Sequence, residues 1–233
     1  EMHARGHYMM ANSTPISWCW LAPLLDVMGT ETNWKHGGKW RPMADEELLY
    51  RRAMCKGKPF CFLMNTEFTA FSYEDSEKFM KRSLAYGMFP GYFSADASTG
   101  HYFKRPELYN RDRPLFKKYI PLCRLVAEAG WEPVTGARSD NAAVTLERFG
   151  WQPGICYLTV FNQSETRQKA TVTLTALAQP STCRDLVRGT EVTWRDKRTD
   201  IELDADDVCV LAFEGPYVGD VLAKDAAVVA PVE

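Results

Sequence analysis

Residues 45–67, DEELLYRRAMCKGKPFCFLMNTE, hold a helix, its stop and a strand in unbroken succession. Asp45, Glu46 and Glu47 stand where the positive end of a helix dipole favours anions, and Arg51, Arg52 and Lys56 stand where the negative end favours cations. Gly57 stops the helix and Pro59 prevents its resumption. The run from Lys58 to Glu67 that follows is almost continuously apolar and too short for a buried helix. That is the pattern of a parallel strand covered on both faces, so a helix leads directly into a strand of an α/β fold.

Working outward, YMMAN (8–12) is a short apolar run closed by Asn12, Ser13 and Pro15, and LLDVMGTE (24–31) is a second. The crossover between them, Asn12 to Leu24, has barely room for a helix. Downstream, the spacing of Phe79, Met80 and Leu84 predicts an amphipathic helix over 73–86, with Ser72 as N-cap and Gly87 as C-cap. MFPGYFSAD (88–96) reads as the next strand despite Pro90 and Gly91. A third helix is expected from about Pro114 to Gly130, kinked at Pro121. The charges of YNRDRPLFKKY read as its solvated start with local ion pairs.

After Gly130 the period changes. Residues 142–149, 156–162, 169–177, 191–195, 199–203 and 207–213 alternate as short strands, separated by turn formers such as Asn162, Pro180, Gly189 and Asp204–Asp206. This spacing predicts an antiparallel β-sandwich. The expected organisation is an α/β domain over 1–130, an all-β sandwich over 131–218 and a tail or linker over 219–233.

Composition narrows the function classes. A net charge of −2 carries no electrostatic footprint for nucleic acid. No apolar run approaches the roughly 20 residues of a membrane-spanning helix. The seven cysteines are scattered without CxxC spacing, and His3, His7, His36 and His101 lack ligand spacing, so neither a metal nor a cofactor is expected. Neither a Gly-rich phosphate loop nor a GxSxG elbow occurs. The opening EMHARGHYMM lacks a secretory leader pattern and reads as the tail of a helix entering a strand. The expectation is a portion of a longer protein.

Several stretches together resemble glycoside hydrolases of the retaining barrel families that carry a C-terminal sandwich, broadly the α-galactosidase and α-amylase types. They are LLDVMGTE, DEELLYRRAMCKGKPFCFLMNTEF, YGMFPGYFSAD and YNRDRPLFKKYIPLCRLVAEAGWEPVTGAR, followed by LDADDVCVLAFE before the end of the sandwich. The resemblance implies a partial (β/α)8 barrel, its last four or so strands, followed by an antiparallel β-sandwich. It also implies hydrolysis of glycosidic bonds by paired carboxylates, an oligo- or polysaccharide or glycoconjugate substrate, and a missing N-terminal half of the barrel.

Barrel active sites lie at the C-terminal ends of the strands. The polar residues that close the apolar runs are Asn12, Glu31, Asn65, Glu67 and Asp96. Glycoside hydrolysis needs two carboxyl groups, about 5–5.5 Å apart for retention or about 6.5–9.5 Å for inversion. Asp26 and Glu31 cannot be that pair on one straight strand, because five residues rise roughly 16 Å and an odd offset turns the side chains to opposite faces. Glu31 is the leading candidate. If 24–31 is the sixth strand, the resemblance implies that Glu31 is the acid/base and that the nucleophile lies upstream; the bland alternative is a solvated loop carboxylate. Glu67 and Asp96 are candidates for the second carboxylate or for hydroxyl binding. Asn12 and Asn65 suit sugar hydroxyls, since an amide both donates and accepts, and suit turns equally. Trp18 and Trp34, with Trp20 and Trp40 nearby, are candidate sugar platforms or core residues. The competing function is a non-catalytic carbohydrate-binding or scaffold protein on a degenerate barrel. The two are separated by whether an upstream strand end carries a carboxylate.

Overall fold

The computed structural model describes residues 2–12, 19–55, 57–65, 70–93, 102–150 and 155–214. Trp18, Glu67, Asp96 and the 219–233 tail lie outside the described residues. The chain is mixed α/β and divides into two compact units, Glu1–Trp131 and Glu132–Glu233.

The first unit contains β1 (Met10–Ala11), β2 (Val27–Thr32), a hairpin of β3 (Lys35–His36) and β4 (Lys39–Trp40), α1 (Asp45–Met54), β5 (Phe60–Asn65), α2 (Tyr73–Ala85), β6 (Phe89–Phe93) and α3 (Pro106–Ala129). Its main sheet has the order β1-β2-β5-β6, every pair parallel. Met28, Phe60, Phe62 and Met64 alternate onto one face and are fully buried. Their opposite numbers Cys61, Leu63 and Asn65 are half-buried and Glu31 is exposed. The continuous apolar run of β5 therefore has one tightly covered face and one more open face.

Pro90 and Gly91 fit β6 for distinct reasons. β6 is the edge strand, where a missing N–H is tolerated. A Cβ on Gly91 would lie 2.4 Å from the Phe62 carbonyl oxygen and 2.8 Å from the Cys61 sulfur, so only glycine allows the strands to come this close.

Buried polar groups join the helices to the sheet. Arg52, 3% exposed, does more than face a helix dipole: it donates to the carbonyls of Cys55, Lys58 and Gly87 at 3.0, 2.7 and 3.0 Å. It thereby ties the end of α1 and the start of β5 to the turn before β6. Ser72 caps α2 in a full capping box with Asp75. The Asp75 carboxylate also accepts from the Lys35 ammonium of the β3–β4 hairpin.

Burial, the largest influence on Asp75, opposes its ionisation, yet the Lys35 and Ser72 donors outweigh it and hold the carboxyl below its ordinary value. A depressed folded pKa contributes stability that is present above the unfolded value of about 3.9 and is lost as pH falls through the folded value. The stability gap between wild type and Asp75→Asn is therefore expected to be constant from pH 7 to about 5 and to close below about pH 4. Thermal melts across that range measure it. A gap that widens on acidification contradicts this assignment.

The third helix begins earlier than its sequence suggests. A 3₁₀ turn over Tyr102–Lys104 leads into Pro106 at the first turn, and both Pro114 and Pro121 lie inside the helix. Pro106 and Pro114 fit a helix start equally well by composition. The charged stretch around Arg111–Arg113 is consequently helix interior, and Asp112 is fully buried rather than solvated.

The second sheet system comprises β7 (Trp131–Glu132), β8 (Ala137–Ser139), β9 (Val144–Phe149), β10 (Ile155–Asn162), β11 (Gln168–Leu174), β12 (Thr182–Asp185), β13 (Thr190–Glu191), β14 (Arg198–Leu203) and β15 (Val208–Glu214). A six-stranded sheet has the order β13-β12-β15-β10-β9-β7 and a three-stranded sheet the order β14-β11-β8. The β10–β15, β9–β10 and β11–β14 pairs are antiparallel. Leu158, Val160, Leu211 and Phe213 from the larger sheet and Val172, Leu174 and Leu203 from the smaller belong to one buried core, with Trp194. Two readings change here. Residues 182–185 form a strand in the larger sheet, and the 191–195 strand shrinks to Thr190–Glu191 with an isolated bridge at Arg195.

Asn162, wholly buried, fastens the turn after β10 to the end of β14. Its Nδ2 donates to the carbonyls of Thr166 and Asp204 at 2.7 and 2.8 Å, and its Oδ1 accepts from the Ser164 backbone N–H at 3.0 Å. Asn162→Ala strands these buried groups, so a loss of roughly 1–3 kcal/mol is expected, read as a lower urea midpoint. An unchanged midpoint contradicts this role.

Candidate active site

Parallel strands bring their C-terminal ends to one rim, and the described candidates gather there. Asn12 follows β1, Glu31 lies at the end of β2 and Asn65 closes β5. The register places Glu31 beside Leu63 and Leu63 beside Gly91. Since strand side chains alternate, Glu31 and Asn65 belong to the same, more open face of the sheet.

Asn12 and Glu31 are directly connected. The Glu31 backbone N–H donates to the Asn12 side-chain oxygen at 3.0 Å, which fixes the end of β2 against the residue after β1. The Glu31 side chain is exposed. Asn65 is half-buried, and its buried side-chain oxygen has no hydrogen-bond partner among the described residues. A buried acceptor left open costs free energy unless a water or ligand donor meets it. Among the described residues the rim thus holds one solvent-facing carboxylate and one buried amide acceptor without a partner.

Asp26, at the other end of β2, serves a different purpose. Its carboxylate accepts from the Met9 backbone N–H at 2.7 Å and from His3 Nε2 at 2.8 Å. The Met9 bond, then His3, hold its carboxyl below the usual range. It anchors the segment before β1, away from the rim where Glu31 sits.

Trp34 lies in an aromatic cluster. It is 0% exposed, and its ring meets Trp40, Phe62 and Phe79 edge-on at centroid distances of 5.8, 5.2 and 5.0 Å. With its faces covered by protein, Trp34 takes the core position of its two alternatives. What sequence reading missed is the hairpin: Gly37 and Gly38 turn at φ 56° and 74°, the strands fold back, and Lys35 fastens the hairpin to α2. The Gly37-Gly38 pair between Lys35-His36 and Lys39-Trp40 was the available signal. Trp20, 64% exposed, is the indole of this unit that faces solvent among the described residues.

Among the described residues no three potential ligands converge on a metal site, and no helix is long and apolar enough to cross a membrane.

Neither a scan of protein-family models nor a search of curated proteins returns a match. Solved structures do match. An α-amylase from Anoxybacillus superposes with a TM-score of 0.56 at 12% identity, over 91% of this chain and 53% of its own. A putative α-galactosidase from Bacteroides fragilis gives 0.54 at 10% identity, over 90% and 47%. A maltogenic α-amylase from Thermotoga neapolitana gives 0.52 at 10% identity, over 90% and 55%. The chain therefore has a glycoside-hydrolase-like fold and spans about half the length of these structures.

Proposed function

We propose that this chain is the C-terminal part of a glycoside hydrolase, in which Glu1–Trp131 supplies the last strands of a (β/α)8 barrel and Glu132 onward an accessory β-sandwich. Glu31 is the general acid/base, and Asn12 and Asn65 bind or orient sugar hydroxyls. The observation that carries this reading is the rim itself: an exposed carboxylate at a parallel strand end, its backbone held by Asn12, beside an amide whose buried acceptor is open. A sugar hydroxyl is the kind of donor that fits this acceptor.

The open edge supports an upstream half. Among the described strands β1 ends the sheet, and Tyr8 and Met10 at this edge are 85 and 48% exposed. Further strands from upstream would cover these groups and bring the second carboxylate, while Glu67 and Asp96 remain candidates for that role or for sugar binding. The carbohydrate-binding alternative keeps one observation in its favour: among the described residues, Glu31 is the sole carboxylate on the strand ends of this rim.

The product of the complete reading frame, assayed on a panel of aryl α- and β-glycosides and oligosaccharides, tests the proposal. Turnover of at least one substrate, abolished when the strand-end carboxylates are neutralised, is expected. Saturable sugar binding without turnover supports the alternative.

A further inference from the structure

The connections after β5 and β6 share an anchor, and it lies in α3. Asp112 is fully buried, and its carboxylate accepts hydrogen bonds from three directions. Arg111 donates through Nε at 2.7 Å and Nη2 at 2.9 Å, the Tyr102 hydroxyl at 3.0 Å, and the Ser76 hydroxyl of α2 at 3.2 Å. The remaining arm of Arg111 donates to the Phe71 carbonyl at 2.8 Å. Phe71 belongs to the connection that follows β5, and Tyr102 to the one that follows β6.

A carboxylate without access to water is stable only when its lone pairs are matched, and here a paired cation and two hydroxyls match them. The tyrosine confirms the polarity of the arrangement: burial, then the adjacent Asp112, push its hydroxyl far above the ordinary value, so it remains a donor at any working pH. Nothing in helix formation requires this constellation. A buried charge is a costly way to fill space, and an apolar group would serve packing as well. What the charge adds is a fixed geometry between two segments that share no strand pairing.

We propose that Asp112 is a positioning residue: through Arg111 it holds the connection after β5 at Phe71, and through Tyr102 the connection after β6. Both connections leave the C-terminal rim on the β5 side of Glu31, so the anchor sets the spacing of the two segments that follow the neighbouring strands on that side. The anchoring stands on its own, and its consequence for turnover rests on the glycosidase reading.

Amide hydrogen exchange on the whole chain tests the anchor. Asp112→Asn keeps shape and loses the charge, and is expected to speed exchange at least tenfold both at 70–76 and at 102–108, with 45–65 within twofold of wild type. Arg111→Lys, which keeps the charge and loses the arm to Phe71, should affect 70–76 alone. Tyr102→Phe should affect 102–108 alone. Exchange unchanged at both segments in Asp112→Asn, or raised evenly through the first unit, overturns the proposal, as does a single-arm variant that loosens both segments.

In the complete enzyme, at a temperature where Asp112→Asn is fully folded, kcat/KM should fall at least tenfold, with a smaller loss in Arg111→Lys. A normal kcat/KM alongside loosened segments overturns the positioning role. Failure of the wild type to hydrolyse any glycoside instead strikes the functional reading, and the exchange pattern then decides the anchor by itself.

Discussion

Glu31→Gln in the complete enzyme is expected to lower kcat on natural glycosides by about 10²–10⁴-fold with folding unchanged. The side chain is exposed at the end of β2, so exchanging a carboxyl for an amide of the same size disturbs no packing. The hydrogen bond that fixes this position runs from the Glu31 backbone to Asn12 and survives the change. If Glu31 is the proposed acid/base, what disappears is the proton delivered to the departing glycosidic oxygen. Aryl glycosides with acidic leaving groups need little protonation, so their rates should fall far less. A uniform loss across leaving groups would point to a binding role, and near-full activity on natural glycosides would make Glu31 an ordinary rim carboxylate.

The second large effect is on stability. Trp34→Ala removes a completely buried indole from between Trp40, Phe62 and Phe79, and a loss of about 3–5 kcal/mol is expected. The indole nitrogen is buried without a hydrogen-bond partner among the described residues, so the loss comes from packing and cavity rather than from a broken polar contact. Trp34→Phe should therefore recover much of it. Denaturant unfolding of the two variants measures both. A sugar platform would behave in the opposite way, with stability near wild type and weakened binding of saccharides.

The two fates of the tryptophans show where sequence stops being informative. The helix over Asp45–Met54, the strand at Phe60–Asn65 and the Ser72 cap were all legible because each is set by local chemistry: charge at the helix ends, a short apolar run and a side chain that reaches its own backbone. The strand ends carrying Asn12, Glu31 and Asn65 were legible for the same reason. Trp34 was not, because its burial depends on a hairpin fold-back and on Phe79, a residue distant in sequence.

Asp112 was illegible too. In a stretch reading RDR, an aspartate between arginines resembles a surface ion pair, and its burial depends on Ser76 and Tyr102, brought in from α2 and from the turn before α3. β12 escaped because its composition, TCRD, has little apolar signal. Its alternation is nonetheless real: Cys183 and Asp185 are buried, and Asp185 accepts from the Val187 N–H at 2.9 Å. Buried polar side chains obey the strand period as well as apolar ones do, yet a hydropathy pattern does not register them.

Whether Glu31 is the acid/base is the central question, and rescue by azide measures it directly. In Glu31→Ala of a retaining enzyme, azide in the vacated space can attack the anomeric carbon of the glycosyl–enzyme ester without a general base, the new C–N bond forming as the ester C–O bond breaks and the nucleophile carboxylate leaves. Added azide is expected to restore turnover of an activated aryl glycoside and to yield the glycosyl azide of retained anomeric configuration, identified by NMR, whereas the inverted azide would mark a nucleophile instead. If azide leaves the rate of Glu31→Ala unchanged and hydrolysis gives the free sugar alone, Glu31 is not the acid/base of this site.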